Sequence, residues 1–449
     1  MAIVTDTFKK FVGDKIKLDF DSADTLYFIG IGRSQIWNDS DITVTPTNRP
    51  ATERDFRQNL QAVRQINDLS YVVPRVNWAS GSIYNAFDDN VTNYPSPNYY
   101  VLNQSNDVYV CIQQGRTVAG IAAPSTVEPS GTLTTIIKNA DGYIWKYLYT
   151  VGAYSASRFL ASNYMPVQFI DSADSNDPIS ERVQLDIQNA AIDGQILGIA
   201  ITSGGTGYSS TPTITIYGDG ESATATAIIS GGAVVDIKMD SNGAGQIKGT
   251  GYQQASVSFS AGNATARAIL APKGGLGANP IIDLKSTYIM LNGRPSGTEN
   301  GTFLINQDFR QVGVIRNIKK LNAFDSDLTD ASATALTKLR FNPGATAFTT
   351  DNIIVGSTSG AKAYIDFADS GAGAFIHQTE TTGFRNFQIG ESLTATNLAG
   401  SVTTGSAVLA SFDSATVNKY TGELLYIDNR AAILRSAGET QDIKVVIQL

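Results

Sequence analysis

The 449-residue chain is too long for one small core and predicts about two to four domains. Its charged fraction, 16%, is low, and the difference is made up by Ser, Thr, Asn, Gln and 41 glycines; with 19 Tyr and 19 Phe this is the composition of a turn-rich β protein. A net charge of −8 with no basic stripe excludes nucleic-acid binding through counterion release, the densest basic stretch being only Arg310, Arg316 and Lys319-Lys320.

Cys111 is the sole cysteine, so neither an internal disulfide nor a thiolate metal cluster can form. The first fifteen residues lack the basic-then-apolar layout of a signal peptide, and no segment reaches the ~18 apolar residues of a membrane span. A soluble protein assembled in a cytoplasm is expected, with no membrane partner.

In chain order, the first distinctive string is FIGIGRSQIWND (28–39). Gly30-Ile31-Gly32-Arg33 after an apolar run resembles a phosphate cradle, but Gln35 replaces the third glycine and no helical period follows Trp37. The glycines read instead as points where a strand passes close to neighbouring backbone and turns, carrying Arg33 and Trp37 to a junction. Thr52 to Leu69 carries Phe56, Leu60, Val63 and Ile66 at helical spacing, with Thr52 and Asp55 as a capping pair and Pro50 just upstream, and predicts a helix. A second helix is expected over Ala331 to Leu339. Short aromatic and β-branched runs predict strands at IKLDF (16–20), TLYFIG (25–30), DVYVCIQQ (107–114), YIWKYLYTV (143–151), VQLDIQ (183–188), STYIMLN (286–292), VGVIRNI (312–318), ELLYIDN (423–429) and DIKVVIQL (442–449).

Residues 195–271 contain a duplication. Gly207-Tyr208 returns as Gly251-Tyr252, and Ala223-Thr224-Ala225 returns as Ala264-Thr265-Ala266. Two similar units packed face to face as one small β domain are expected. Residues 328–413 are again rich in glycine and small polar residues and predict a second β module inserted in a loop, where long insertions cost little closure entropy. The expected fold is mainly β with a few helices: a β-sandwich or β-barrel-like body formed by 1–194, 276–327 and 414–449, carrying inserted β domains at 195–275 and 328–413.

Residue patterns that could carry chemistry are few. His377, the only histidine, has no metal-binding companions and reads as a surface or loop residue. Gly356-Ser-Thr-Ser-Gly360 has Thr358 where a nucleophile elbow needs serine. Asp171 to Asp177 lacks the glycine and spacing of a calcium loop. Gly218-Asp-Gly220-Glu-Ser-Ala223 leads into a strand pattern and reads as a hairpin turn. No catalytic residue, cofactor or metal is expected, and the protein reads as a non-enzyme.

Several dense motifs carry a resemblance. Gly32-Arg33-Ser34 with Trp37, Val72-Val73-Pro74-Arg75 with Trp78, Asp141-Gly142-Tyr143 with Trp145 and Tyr147-Leu148, and Gly422-Glu423 with Tyr426 and Asn429-Arg430 occur in that order, followed by a final strand pattern from Gln441 to Ile447. A fainter match covers GTFLINQDFRQVGVIRN (301–317). In order and character these blocks resemble the baseplate wedge subunit of T-even-type contractile-tailed bacteriophages, the member that forms a dimer in each wedge. Ala431-Ala432 depart from that pattern, which favours proline there, and the chain looks longer than the family type, the excess falling in the two glycine-rich segments. The resemblance implies a virion structural protein of the tail baseplate, assembled in the host cytoplasm, whose partners are a second copy of itself and other wedge proteins and whose contacts rearrange when the tail contracts. Arg33, Trp37, Arg75, Trp78, Tyr143, Trp145, Tyr426, Asn429 and Arg430 are the candidate packing or interface residues. Trp and Tyr offer large apolar faces with a polar tip, and Arg offers a planar donor. The alternative is a virion protein that binds or degrades host-surface glycans through its β inserts.

Overall fold

The structure, a computed structural model, describes residues 4–37, 43–91, 98–242, 245–322, 324–369, 371–397, 399–436 and 440–449. The fold is mainly β, with many small sheets, one closed barrel and a few helices. The chain forms two compact units, Met1–Gly13 with Ser70–Met290 and Val446–Leu449, and Asp14–Leu69 with Leu291–Val445.

The first unit is built on a four-stranded antiparallel sheet in the order Tyr100–Leu102, Asp107–Gln113, Ile144–Thr150, Ile136–Lys138. The strands Tyr100–Leu102, Asp107–Gln113 and Ile144–Thr150 are buried on both faces, and the edge strand Ile136–Lys138 is partly exposed. Tyr109, Cys111, Tyr143, Trp145 and Tyr147 share one aromatic core with Tyr84 and with Ile187 from the helix Ile179–Asn189. Each such side chain withdrawn from water contributes ~1.5–3 kcal/mol.

The duplicated segment, in the same unit, does not stack as two separate halves. Its strands are exchanged. Ile196–Ser203 of the first half pairs with Thr265–Leu270 of the second, Ala225–Ser230 of the first pairs with Ala233–Met239 of the second, and Ile214–Gly218 pairs with its counterpart Ala255–Phe259. The repeat therefore folds as an intertwined pair with approximate twofold symmetry, and its common core contains Tyr208 and Tyr252. The two tyrosines act reciprocally across the halves. The backbone N–H of Ala264 donates to the Tyr208 hydroxyl at 2.9 Å, and that of Ala223 donates to the Tyr252 hydroxyl at 3.5 Å. Each ring lies against a glycine, Gly262 under Tyr208 and Gly220 under Tyr252, where a Cβ would collide with it. The bend at Asp219-Gly220 is not a hairpin turn, because Ile214–Gly218 and Glu221–Ala223 on either side of it pair with different partners, Ala255–Phe259 and Lys248–Thr250.

The second unit holds a five-stranded sheet in the order Ser332–Thr334, Leu60–Gln65, Tyr27–Gly32, Asp308–Arg316, Glu423–Leu434. It also holds a closed six-stranded barrel formed by Thr337–Phe341, Gly373–His377, Lys362–Asp369, Ile353–Gly356, Ser392–Thr396 and Val402–Asp413. Leu339, Ile354, Ile365, Ile376, Leu393 and Leu409 fill the barrel. Closure leaves it without an open sheet edge.

Four local expectations are corrected. The helix expected over 52–69 spans Pro50–Asn59, with Pro50 as its first residue and no side-chain cap from Arg49. From Leu60 the chain becomes a central strand, because Leu60–Gln65 finds ladders on both sides, Val63 opposite Gly30 and Ala333. Those backbone bonds to distant strands outweigh the helical periodicity, and Phe56, Leu60 and Val63 reach the same core from either side of the switch. The stretch 331–339 is not helical but contributes Ser332–Thr334 and the start of Thr337–Phe341. Conversely, IKLDF lies in the helix Asp6–Phe20 and VQLDIQ in the helix Ile179–Asn189.

Candidate functional site

Gly30 and Gly32 are close-approach glycines. A Cβ on Gly30 would stand 2.7 Å from Leu60 Cδ1, and one on Gly32 would stand 2.5 Å from the Asn59 carbonyl oxygen. The Phe56 ring covers Gly30 and its cross-strand partner Gly313. Only hydrogen at these positions lets the helix end seat on the sheet. Immediately afterwards Arg33 adopts φ 63°, a left-handed conformation rare for a side-chain-bearing residue. This turn lays its guanidinium over the Trp37 ring at 4.1 Å and within 3.5 Å of Asp55. Burial pulls the Arg33 pKa below its ordinary value, against the pull of Asp55.

The Trp37 indole N–H donates to the Arg430 carbonyl at 2.8 Å, tying the first motif to the last. Next to it, the Asn429 side chain donates to the Val44 carbonyl at 2.7 Å and accepts from Gln311 at 3.1 Å. Tyr426 pairs opposite Val314, and burial raises its hydroxyl pKa. The Arg430 guanidinium is exposed and lies 3.4 Å from Asp428. The strands containing 28–32, 308–316 and 423–430 are thus neighbours in one sheet, and Arg33, Trp37, Tyr426, Asn429 and Arg430 cluster at it. Asn38 and Asp39 of the opening string lie outside the described residues.

The remaining candidates meet in the first unit. Trp78 donates its indole N–H to Ser125 Oγ at 3.2 Å, and Ser125 donates to Asp141 at 3.0 Å. The Asp141 carboxylate also accepts the backbone N–H groups of Thr126, Val127 and Tyr143. Burial would raise its pKa, but these donors outweigh burial and hold it below the usual carboxylate range. Tyr143 and Trp145 stack with ring centroids 5.7 Å apart, and both are fully buried. Arg75 bonds Asn77 at 2.8 Å and the Ala161 carbonyl at 3.0 Å. In this unit the motif residues serve as interior packing and loop ties.

Three buried polar centres were not legible from the sequence. His377 is not a surface residue. It ends the barrel strand Gly373–His377, is 3% exposed, and has Nδ1 2.6 Å from an Asp366 oxygen. The other Asp366 oxygen accepts from Ser34 at 3.0 Å and Gln61 at 3.2 Å, so the Ser34 of the first motif clamps the barrel to the sheet. His377 Nε2 is buried with no hydrogen-bond partner. The second centre explains Gly356-Ser-Thr-Ser-Gly360. Its backbone N–H groups at Thr358 and Ser359, together with that of Gln388, wrap the Glu391 carboxylate at 3.0, 2.9 and 2.7 Å. Burial opposes ionisation of Glu391, but the donors prevail and its pKa falls. The string is an anion nest filled by the chain's own glutamate. The third comprises Lys146, Lys248 and Asp283 in the first unit, all buried; desolvation brings the lysines down to about 8 and about 7 and carries Asp283 up to about 8.

Among the described residues, no group of three or more His, Cys, Asp or Glu side chains is arranged to hold a metal ion, and no helix is long and apolar enough to cross a membrane. Compared with known proteins, the chain matches no protein-family model and no curated protein.

Proposed function

We propose that this chain is a non-enzymatic structural subunit of a contractile-tail baseplate wedge, pairing with a second copy of itself and with other wedge proteins in the virion. The observation that carries this reading is the convergence of widely separated motif blocks. Three of them supply adjacent strands of one sheet, and Trp37 closes onto Arg430 across the length of the chain. Residues conspicuous in the sequence thus brace this sheet, which supports a scaffold role. Large aromatic anchors and multiply bonded arginines suit a subunit that must transmit force. On this reading, tail contraction shifts contacts between subunits from one packed arrangement to another while each β unit stays intact.

Size-exclusion chromatography with light scattering tests the self-pairing. The expected mass is twice the 47.8 kDa of the chain. A strictly monomeric species at high concentration contradicts the dimer. Co-purification with other wedge proteins from assembling particles tests the remaining partners.

A further inference from the structure

The barrel of the second unit is packed with its own side chains, but at one end it opens into a cleft of about 700 Å³. This is the end at which Thr337–Phe341 begins and Gly373–His377 and Val402–Asp413 finish. The volume falls within the range of small-molecule sites, which favour the mouths of β-barrels. Leu339 and Ile376, members of the barrel core, contribute to the lining, together with the aromatic rings of Phe384, Phe387, Phe412 and Tyr420. Phe384, Phe412 and Tyr420 are 54%, 47% and 56% exposed, an uncommon accumulation of ring surface around one concavity.

The charge of the lining is one-sided. The chain has 41 acidic residues against 33 basic, yet no Asp or Glu lines this cleft, while Arg385 and Lys419 do. The Lys419 ammonium is anchored on the Gln58 carbonyl at 2.8 Å. His377 borders the cleft, but its side chain is fully buried and fixed through Nδ1 by Asp366. The nearby Asp366 carboxylate is itself engaged by Ser34, Gln61 and His377.

We infer that this cleft is a binding site for a small organic anion with an aromatic or branched aliphatic body. The rings take the body, and Arg385 and Lys419 take the anionic head. A neutral ligand of the same shape gains the apolar contacts alone, so charge is the discriminating feature.

The test uses the full-length chain and two nearly isosteric probes, 2-naphthoate and 2-naphthamide, titrated by calorimetry with saturation-transfer NMR. Naphthoate is expected to bind saturably and about tenfold more tightly than the amide. Arg385→Gln is expected to reduce that preference severalfold, Lys419 remaining, and Phe384→Ala to weaken both probes. Both positions are exposed, and unchanged melting temperatures verify folding. Equal binding of acid and amide by the native chain overturns the inference, as does naphthoate binding that survives unchanged in both variants.

Discussion

The two glycine-rich segments look alike in composition but solve the problem of a small β core in different ways. Thr337 to Asp413 closes six strands into a ring, so its core is enclosed by its own ladders and few residues outside the strands are needed. The described residues of 196–270 form two-stranded ladders, and their core holds because each half lends strands to the other and each Tyr closes over a glycine of the opposite half. Similar sequence texture therefore conceals different points of weakness. The barrel depends on its turns staying shut, and the exchanged repeat depends on its tyrosine contacts.

The largest effect is expected in the barrel. Glu391→Ala removes the acceptor for three backbone N–H groups and is expected to cost ~4 kcal/mol in urea unfolding. A loss under ~1 kcal/mol would show that the nest does not hold the ring closed. Because the Glu391 pKa is depressed in the folded state, its contribution is present above the ordinary glutamate pKa and disappears as pH falls through the folded value.

In the exchanged repeat, Gly262→Ala drives a Cβ to within 2.3 Å of the Tyr208 ring at a residue with φ +79°, and is expected to cost ~3 kcal/mol. Gly207→Ala has a similar φ but open space around it, so ~1 kcal/mol is expected. Equal losses would mean that backbone conformation, and not closure over the glycine, controls the repeat. Thermal melts of the two variants make the comparison.

Lys248 sharpens the contrast through pH. Its folded pKa, brought to about 7 by burial and by Lys146, lies below the unfolded value. The penalty is therefore complete below pH 7 and is relieved as pH rises from about 7 toward the unfolded lysine value. Lys248→Met is expected to stabilise by ~2 kcal/mol at pH 6, with the gain shrinking by pH 10. A gain independent of pH would remove the charge from the explanation. The smallest effects are expected from Tyr208→Phe, ~1 kcal/mol, and from Tyr252→Phe, less than that because its hydroxyl bond is longer, 3.5 Å against 2.9 Å. Chemical denaturation of both variants checks that order.

The legible parts of the sequence were those whose signal is local. Asp107–Gln113 and Ile144–Thr150 are aromatic and β-branched runs bounded by turn residues, and they are strands; the duplication too was visible, because it is an identity of residues. What escaped depends on distant partners. Leu60–Gln65 is a strand because Tyr27–Gly32 and Ser332–Thr334 flank it, which its own helical spacing conceals. IKLDF alternates like a strand over five residues, whereas the helix Asp6–Phe20 packs Gly13 against Tyr71 and exposes Phe8, Phe11 and Leu18. At the candidate site, the glycine, arginine and tryptophan of the first motif could be singled out by type and spacing. Their connection to Asn429 and Arg430 could not be read, nor could the pairing of His377 with Asp366, since a lone histidine carries no signal of its acceptor.

That this chain braces a baseplate wedge is our proposal, and a cryo-EM map of contractile-tailed particles assembled in cells that produce the chain tests it most directly. The account predicts density for the six-stranded barrel and the exchanged repeat in each wedge, with two copies of the chain in contact. A complete baseplate map without this chain would contradict it.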